Sequence, residues 1–103
     1  MNNKNNKAVR IKKTDDEVFD IITEKFSYSV QTNFDDSNKD VINWCRNEFG
    51  KEKVSLTAFN TIYWYRENAL WDFCYDGVHE FLCFYFANKN DAFLFKVRWI
   101  GND

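Results

Sequence analysis

Proline is absent from the 103-residue chain, and glycine occurs only three times. Disordered segments, collagen-like repeats and long flexible linkers all draw on those two residues, so the composition argues against each of them. Apolar runs are short, and none approaches the ~20 residues of a membrane-spanning helix. Residues 1–13 also lack the apolar stretch of a signal peptide. Cys45, Cys74 and Cys83 form no C-x-x-C pair and leave an odd count. Such sparse cysteine fits reduced, buried thiols better than a disulfide framework. These absences predict a soluble protein of the cytoplasm, without a membrane association. Gly50, Gly77 and Gly101 stand far apart, so no glycine-rich phosphate loop exists and no cofactor is expected.

Aromatic residues, by contrast, make up 19% of the chain. At this length a single modest core is available, and a few large rings are expected to dominate it. Charge is unevenly placed. Residues 1–13 hold five Lys/Arg and no acid, whereas the remaining ninety hold nine Lys/Arg against sixteen Asp/Glu. The reading is a basic disordered tail at 1–13 followed by one acidic domain at 14–103. An acidic body is not the footprint of a duplex-binding domain, which needs clustered Lys/Arg. The tail can touch nucleic acid or an acidic partner, or can simply be a solvated terminus.

The stretch 70–86 organises the rest. Two β-prone runs flank Asp76-Gly77, a strong hairpin signal. A two-residue turn there pairs Tyr75 with Val78, Cys74 with His79, Asp72 with Phe81 and Leu70 with Cys83. Side-chain alternation then puts Trp71, Phe73, Tyr75, Val78, Leu82, Phe84 and Phe86 on one apolar face that must be covered. Thr14-Asp15-Asp16-Glu17 has capping-box form, and Val18, Ile21, Ile22 and Phe26 follow at helical spacing, predicting a helix over about 14–26. Residues 27–34 alternate as a short strand or extended link. A second capping signal at Ser37–Asp40, an apolar stripe through Val41, Cys45 and Phe49, and Gly50 at the C′ place predict a helix over 38–49. The stretch 54–69 is too densely apolar for periodicity to separate strand from helix, and a strand over about 58–66 is favoured. Asn90 or Asp91 can cap a last helix carrying Phe95 and Trp99 on one face. The sum is an α+β domain: a three- to four-stranded antiparallel sheet with about three helices, mainly on one face.

Tyr63-Trp64-Tyr65, then Phe84-Tyr85-Phe86, then Asp91-Ala92-Phe93-Leu94-Phe95-Lys96-Val97-Arg98-Trp99 follow one another over the last forty or so residues. This half of the chain resembles a group of short tailed-bacteriophage proteins, marine ones especially. Their C-termini read roughly F-Y-F-x-x-x-x-D-A-x-x-F-K-L-x-W. The resemblance implies phage origin and expression in the cytoplasm of an infected bacterial cell. It carries no catalytic residues across.

Candidate chemistry is thin. The predicted register sets Cys74 across from His79 with Asp72 diagonal, at roughly 5 Å and 7 Å between Cβ atoms. Nucleophile, base and orienter need that spacing, but also a pocket and oxyanion donors, which a hairpin middle does not supply. In the same register Cys83 lies on the order of 13 Å from Cys74, so the two cannot share an ion, and no metal site is expected. The acids Asp15, Asp16 and Glu17, and Asp35 and Asp36, read as capping groups. Exposed aromatics remain. If helices cover only one sheet face, Tyr63, Tyr65, Phe81 and Tyr85, with Arg66 and Arg98 nearby, form an aromatic, acid-rimmed binding surface. The alternative is that helices cover both faces. The expected function is a non-enzymatic phage protein binding a bacterial host protein, or itself, to modulate host machinery or defence. The alternative is a single-stranded nucleic-acid binder using an aromatic sheet face and residues 1–13.

Overall fold

Thr14 starts the first helix as its sequence dictates. Its hydroxyl accepts from the Glu17 N–H at 3.2 Å, and the Glu17 carboxylate accepts from the Thr14 N–H at 2.9 Å, closing a complete capping box. Those hydrogen bonds hold the Glu17 carboxyl below its usual range. The computed structural model describes residues 7–33, 37–56, 62–76 and 80–100. In chain order they form β1 (Val9–Lys12), α1 (Asp15–Lys25), β2 (Tyr28–Asn33), α2 (Asn38–Phe49), β3 (Val54–Leu56), β4 (Ile62–Tyr65), β5 (Trp71–Asp76), β6 (Phe81–Phe86) and α3 (Lys89–Phe95). The helix runs on past α3 as a π-helical turn over Lys96–Ile100.

The fold class is α+β, with antiparallel pairing throughout, but the strands divide into two sheets rather than one. One sheet has the order β1-β4-β3 and the other β2-β6-β5. Two of the three helices, α2 and α3, cover one face of the second sheet. Val41 and Cys45 from α2 and Ala92 and Phe95 from α3 pack there on Val30, Trp71, Leu82, Phe84 and Phe86. Phe95 lies 4.7 Å from the Phe84 ring and 5.3 Å from the Phe86 ring, and burial of each such ring contributes about 2–3 kcal/mol. A second core lies on α1, where Val18, Ile22 and Phe26 meet Val54, Tyr63 and the half-buried Ile11, Tyr65, Cys74 and Tyr85. The second sheet is therefore covered on both faces.

The hairpin register is corrected. Asp76 pairs with Phe81, Cys74 with Cys83, Phe73 with Phe84 and Trp71 with Phe86, so the loop has four residues, 77–80. Gly77, Val78 and His79 lie outside the described residues; Glu80 closes the loop at φ 57°. The longer loop keeps all six residues of β6 paired with β5 on one side and β2 on the other. A two-residue turn would have left the Phe84–Phe86 end overhanging. Because the slip is an even number of residues, every side chain keeps its predicted face. Trp71, Phe73, Leu82, Phe84 and Phe86 still share one face, and Asp72, Cys74, Phe81, Cys83 and Tyr85 the other.

The basic tail is corrected over its described part, residues 1–6 lying outside the described residues. Val9–Lys12 is not disordered but pairs with β4, with Val9 opposite Tyr65 and Ile11 opposite Tyr63. The apolar side of Ile11 and the pairing groups of β4 outweigh the charge of the segment. In the stretch 54–69, a strand forms at 62–65 and a shorter one at 54–56, while 57–61 lies outside the described residues. Asn88, not Asn90 or Asp91, caps α3, and its amide donates to the Asp91 carboxylate at 3.2 Å. Ser37 begins α2 without a side-chain cap bond, and Asp35 and Asp36 before it lie outside the described residues.

Candidate functional site

The six residues expected to form a binding surface do not share one. Tyr63 is only 7% exposed and sits inside the α1 core, with Tyr65 and Tyr85 half-buried against the same cluster. Tyr65 donates to the Glu67 carboxylate at 2.9 Å, and burial holds its phenol up at about 12. Arg66 donates to the Glu52 carbonyl at 3.0 Å. Phe81 is half-buried at the far end of β6. Only Arg98 is exposed, and its guanidinium stacks over its neighbour Trp99 at 4.4 Å. These aromatics hold two layers together.

A charged seam joins the two sheets beside them. Asp72 on β5 is 1% exposed and accepts from the Val54 N–H of β3 at 2.8 Å and from the Phe73 N–H at 2.7 Å. Burial pushes its carboxyl up to about 8 against the pull of those two bonds. Buried Lys53 donates to the carbonyls of Glu67 at 2.6 Å and Arg66 at 3.2 Å and lies over the Tyr65 ring at 5.0 Å. Arg46 on α2 grips buried Glu52 with two bonds, at 2.7 Å and 3.1 Å, and these outweigh burial to hold Glu52 below its ordinary range. The cleft above this seam encloses ≈ 1040 Å³ between α1, β3 and β5, with Phe19 and Tyr75 at its rim.

The seam has the chemistry of a structural joint. Each charged group in it has partners within the fold, and the one thiol on the cleft, Cys74, is pushed up to about 12 by burial and by the neighbouring Asp72 and Cys83. A thiol so held is a poor nucleophile at neutral pH. The register pairs Cys74 with Cys83, and His79, its expected partner, lies outside the described residues. Among the described residues no group of three His, Cys, Asp or Glu side chains can hold a metal ion. None of their helices is long and apolar enough to cross a membrane.

Among the described residues, several exposed apolar side chains gather on the C-terminal helix. Phe93 is 67% exposed, and Leu94, Val97 and Ile100 are each more than 40% exposed. Phe93 and Val97, four residues apart, are both exposed, whereas Ala92, Phe95 and Trp99 face the core, and Ile100 at the end of the π-helical turn lines a cavity beside Trp99. Lys89, Lys96 and Arg98 lie nearby in the chain, with Asp91 as the one acid among them. Sequence reasoning missed this face because it placed Phe95 and Trp99 on one side of the helix and left the remaining apolar residues unassigned. The signal was present: seven apolar residues in the nine from Ala92 to Ile100 are more than one buried face can hold.

Two smaller features complete the surface. On the outer face of the first sheet, exposed Arg10 stands directly opposite exposed Trp64, with Lys12 two residues along. At the other end of the molecule, a cavity of ≈ 420 Å³ lies between β2, the start of α2 and the C-terminal turn. Thr32 and Trp99 are among the residues lining it, and the Thr32 hydroxyl and the Trp99 indole N–H are buried without a hydrogen-bond partner. Comparison with known protein families, with curated proteins and with solved structures finds no match to this chain.

Proposed function

We propose that the chain is a non-enzymatic binding protein that docks an acidic, apolar segment of a partner protein on the outer face of its C-terminal helix. The observation that carries this is the exposed pair Phe93 and Val97, with exposed Leu94 beside Phe93 and Lys89, Lys96 and Arg98 nearby in the chain. Large apolar side chains grouped on water mark interaction sites. The basic neighbours select a partner surface of the opposite sign. An amphipathic helix carrying acids beside its apolar positions supplies both halves of that complement. The phage-like pattern at the C-terminus makes a bacterial host protein the natural partner, and modulation of host machinery or defence the corresponding role. The residues that match that pattern at Ala92, Phe95 and Trp99 face the core, whereas Phe93 and Leu94 occupy its open positions.

The test is a comparison of the full chain with the Phe93→Asp, Val97→Asp double variant. Both serve as bait in nuclease-treated bacterial lysate, and any captured protein is purified and rebound. Binding to the wild type that weakens at least about tenfold in the variant, with cross-links running from Lys89 or Lys96, supports the reading. Equal affinity for both baits overturns it. Concentration-dependent sedimentation that the variant abolishes replaces the partner with a second copy.

One observation favours a second reading, a single-stranded nucleic-acid binder. Strand β1 places Arg10 and Lys12 beside Trp64 on the open face of the first sheet, an arrangement that can stack a base and hold its phosphate. This reading predicts an affinity for oligonucleotides that falls steeply with salt and is lost in Trp64→Ala.

A further inference from the structure

Cys74 and Cys83 face one another directly across the β5–β6 ladder, and both are thiols. Opposed residues of an antiparallel pair project to the same face, so the two sulfur atoms share one side of the sheet. The spacing follows from the ladder. Ala87 N–H donates to the Leu70 carbonyl at 3.0 Å, which makes that pair a hydrogen-bonded one. Stepping two residues at a time, Asp72 with Tyr85 and Cys74 with Cys83 are hydrogen-bonded pairs too. Cα atoms of such a pair lie about 5.5 Å apart, inside the roughly 4.4–6.8 Å span that a disulfide bridges. Neither side chain is sealed from solvent. Both are half-buried, and Cys74 lies on the wall of the large cleft. The third cysteine, Cys45, is fully buried on α2 in the other core and has no such neighbour.

We infer that Cys74 and Cys83 form a reversible dithiol–disulfide site that takes up oxidising equivalents from a small-molecule disulfide and pins the edge strand β5 to β6. The Cys74 thiolate, reached through the cleft, attacks one sulfur of the small disulfide. The other half leaves as a thiolate and takes up a proton, and a mixed disulfide remains on Cys74. The Cys83 thiolate then attacks the Cys74 sulfur and displaces the second small thiol. Two protein thiols become one disulfide, and one small disulfide becomes two thiols. Burial keeps Cys74 protonated at neutral pH, so the first step is slow there and accelerates as pH rises. The pair thus responds to a sustained oxidising shift rather than to a brief one. The closed bond joins an edge strand to the strand at the centre of its sheet, on the face where α1 and Tyr85 pack.

The test uses the full-length chain with oxidised glutathione, followed by denaturation, alkylation and intact mass. The expected product is monomeric, lighter by two hydrogens, and takes one alkyl group where the reduced chain takes three. Peptide mapping then joins the Cys74 and Cys83 peptides and finds the alkyl group on Cys45. Cys83→Ser is expected to stall with one glutathione on Cys74, and Cys45→Ser to cross-link at the wild-type rate. Dithiothreitol reverses the product. Three alkylatable thiols after prolonged oxidation at about pH 8.5, glutathione retained on both residues without a cross-link, or a disulfide between two chains would each overturn the assignment.

Discussion

Asp72 shows how one buried side chain ties the two sheets together and sets the pH dependence of the whole. Its two oxygens accept backbone N–H groups from β3 and from its own strand, while burial lifts its carboxyl from 3.8 to about 8. Because the folded value is the higher one, the fold holds a proton that the unfolded chain has already released. That contribution is complete below about pH 4 and is lost as pH rises through 8. The stability of the wild type therefore falls across this range, by at most about 1.4 kcal/mol per pH unit. Glu52 works in the opposite sense: its folded value is lowered from 4.5, so its contribution is present above that value and is lost only on acidification. Asp72→Asn keeps an oxygen for the Val54 N–H and removes the titration, so its urea midpoint should change less than the wild type's between about pH 5 and about pH 9. An equal change in the two proteins would show that the carboxyl is ionised in the fold. Thr32 offers a second residue-scale check. Its buried hydroxyl has no partner, so Thr32→Val, of nearly the same shape, should stabilise the protein by about 1 kcal/mol in urea unfolding.

At the scale of elements, legibility depended on whether a signal was local. The capping box at Thr14 and the helix over 38–49 are decided within a few residues, and both stand in the structure as the sequence implies. The hairpin loop was not legible, because Asp76-Gly77 is a local preference and the register is set by β2 pairing along the whole of β6. Gly50 lies between the two cases. It ends α2 as expected and donates to the Arg46 carbonyl, but at φ 87° and ψ −171°, a region essentially reserved for glycine. Its carbonyl accepts the Trp71 indole N–H at 2.7 Å, which links the helix end to β5. A Cβ at this position meets nothing within 4 Å, so any cost of Gly50→Ala comes from the backbone alone. The expected loss is about 1–3 kcal/mol by urea unfolding, with the Trp71 indole resonance displaced. A neutral substitution with an unmoved resonance would show that the backbone at 50 relaxes at no cost.

For the whole molecule, the α+β class and the apolar face of 71–86 could be read from alternation and composition, because alternation survives an even slip of register. The division into two sheets could not, because it depends on which strands find each other at long range. The candidate site was hidden for the same reason. Tyr63, Tyr65 and Tyr85 read as a surface only until α1 and the first sheet are known to cover them. Residues 1–13 make this dependence measurable. As a solvated tail they are dispensable, whereas in the fold Val9–Lys12 forms one side of β4 and Ile11 enters the second core. Removing residues 1–13 while keeping Thr14 leaves the α1 cap intact and turns β4 into an edge strand. The ladder and the partial burial of Ile11 are lost together, which should cost at least about 2 kcal/mol in urea unfolding. Amide exchange sharpens the result, since protection should collapse along β4 and persist along β6, which keeps both of its neighbours. Unchanged stability with unchanged protection at Tyr63 and Tyr65 would return β1 to the status of a frayed terminus. It would also remove the support that β1 gives to Trp64 and Arg10 as a nucleic-acid platform.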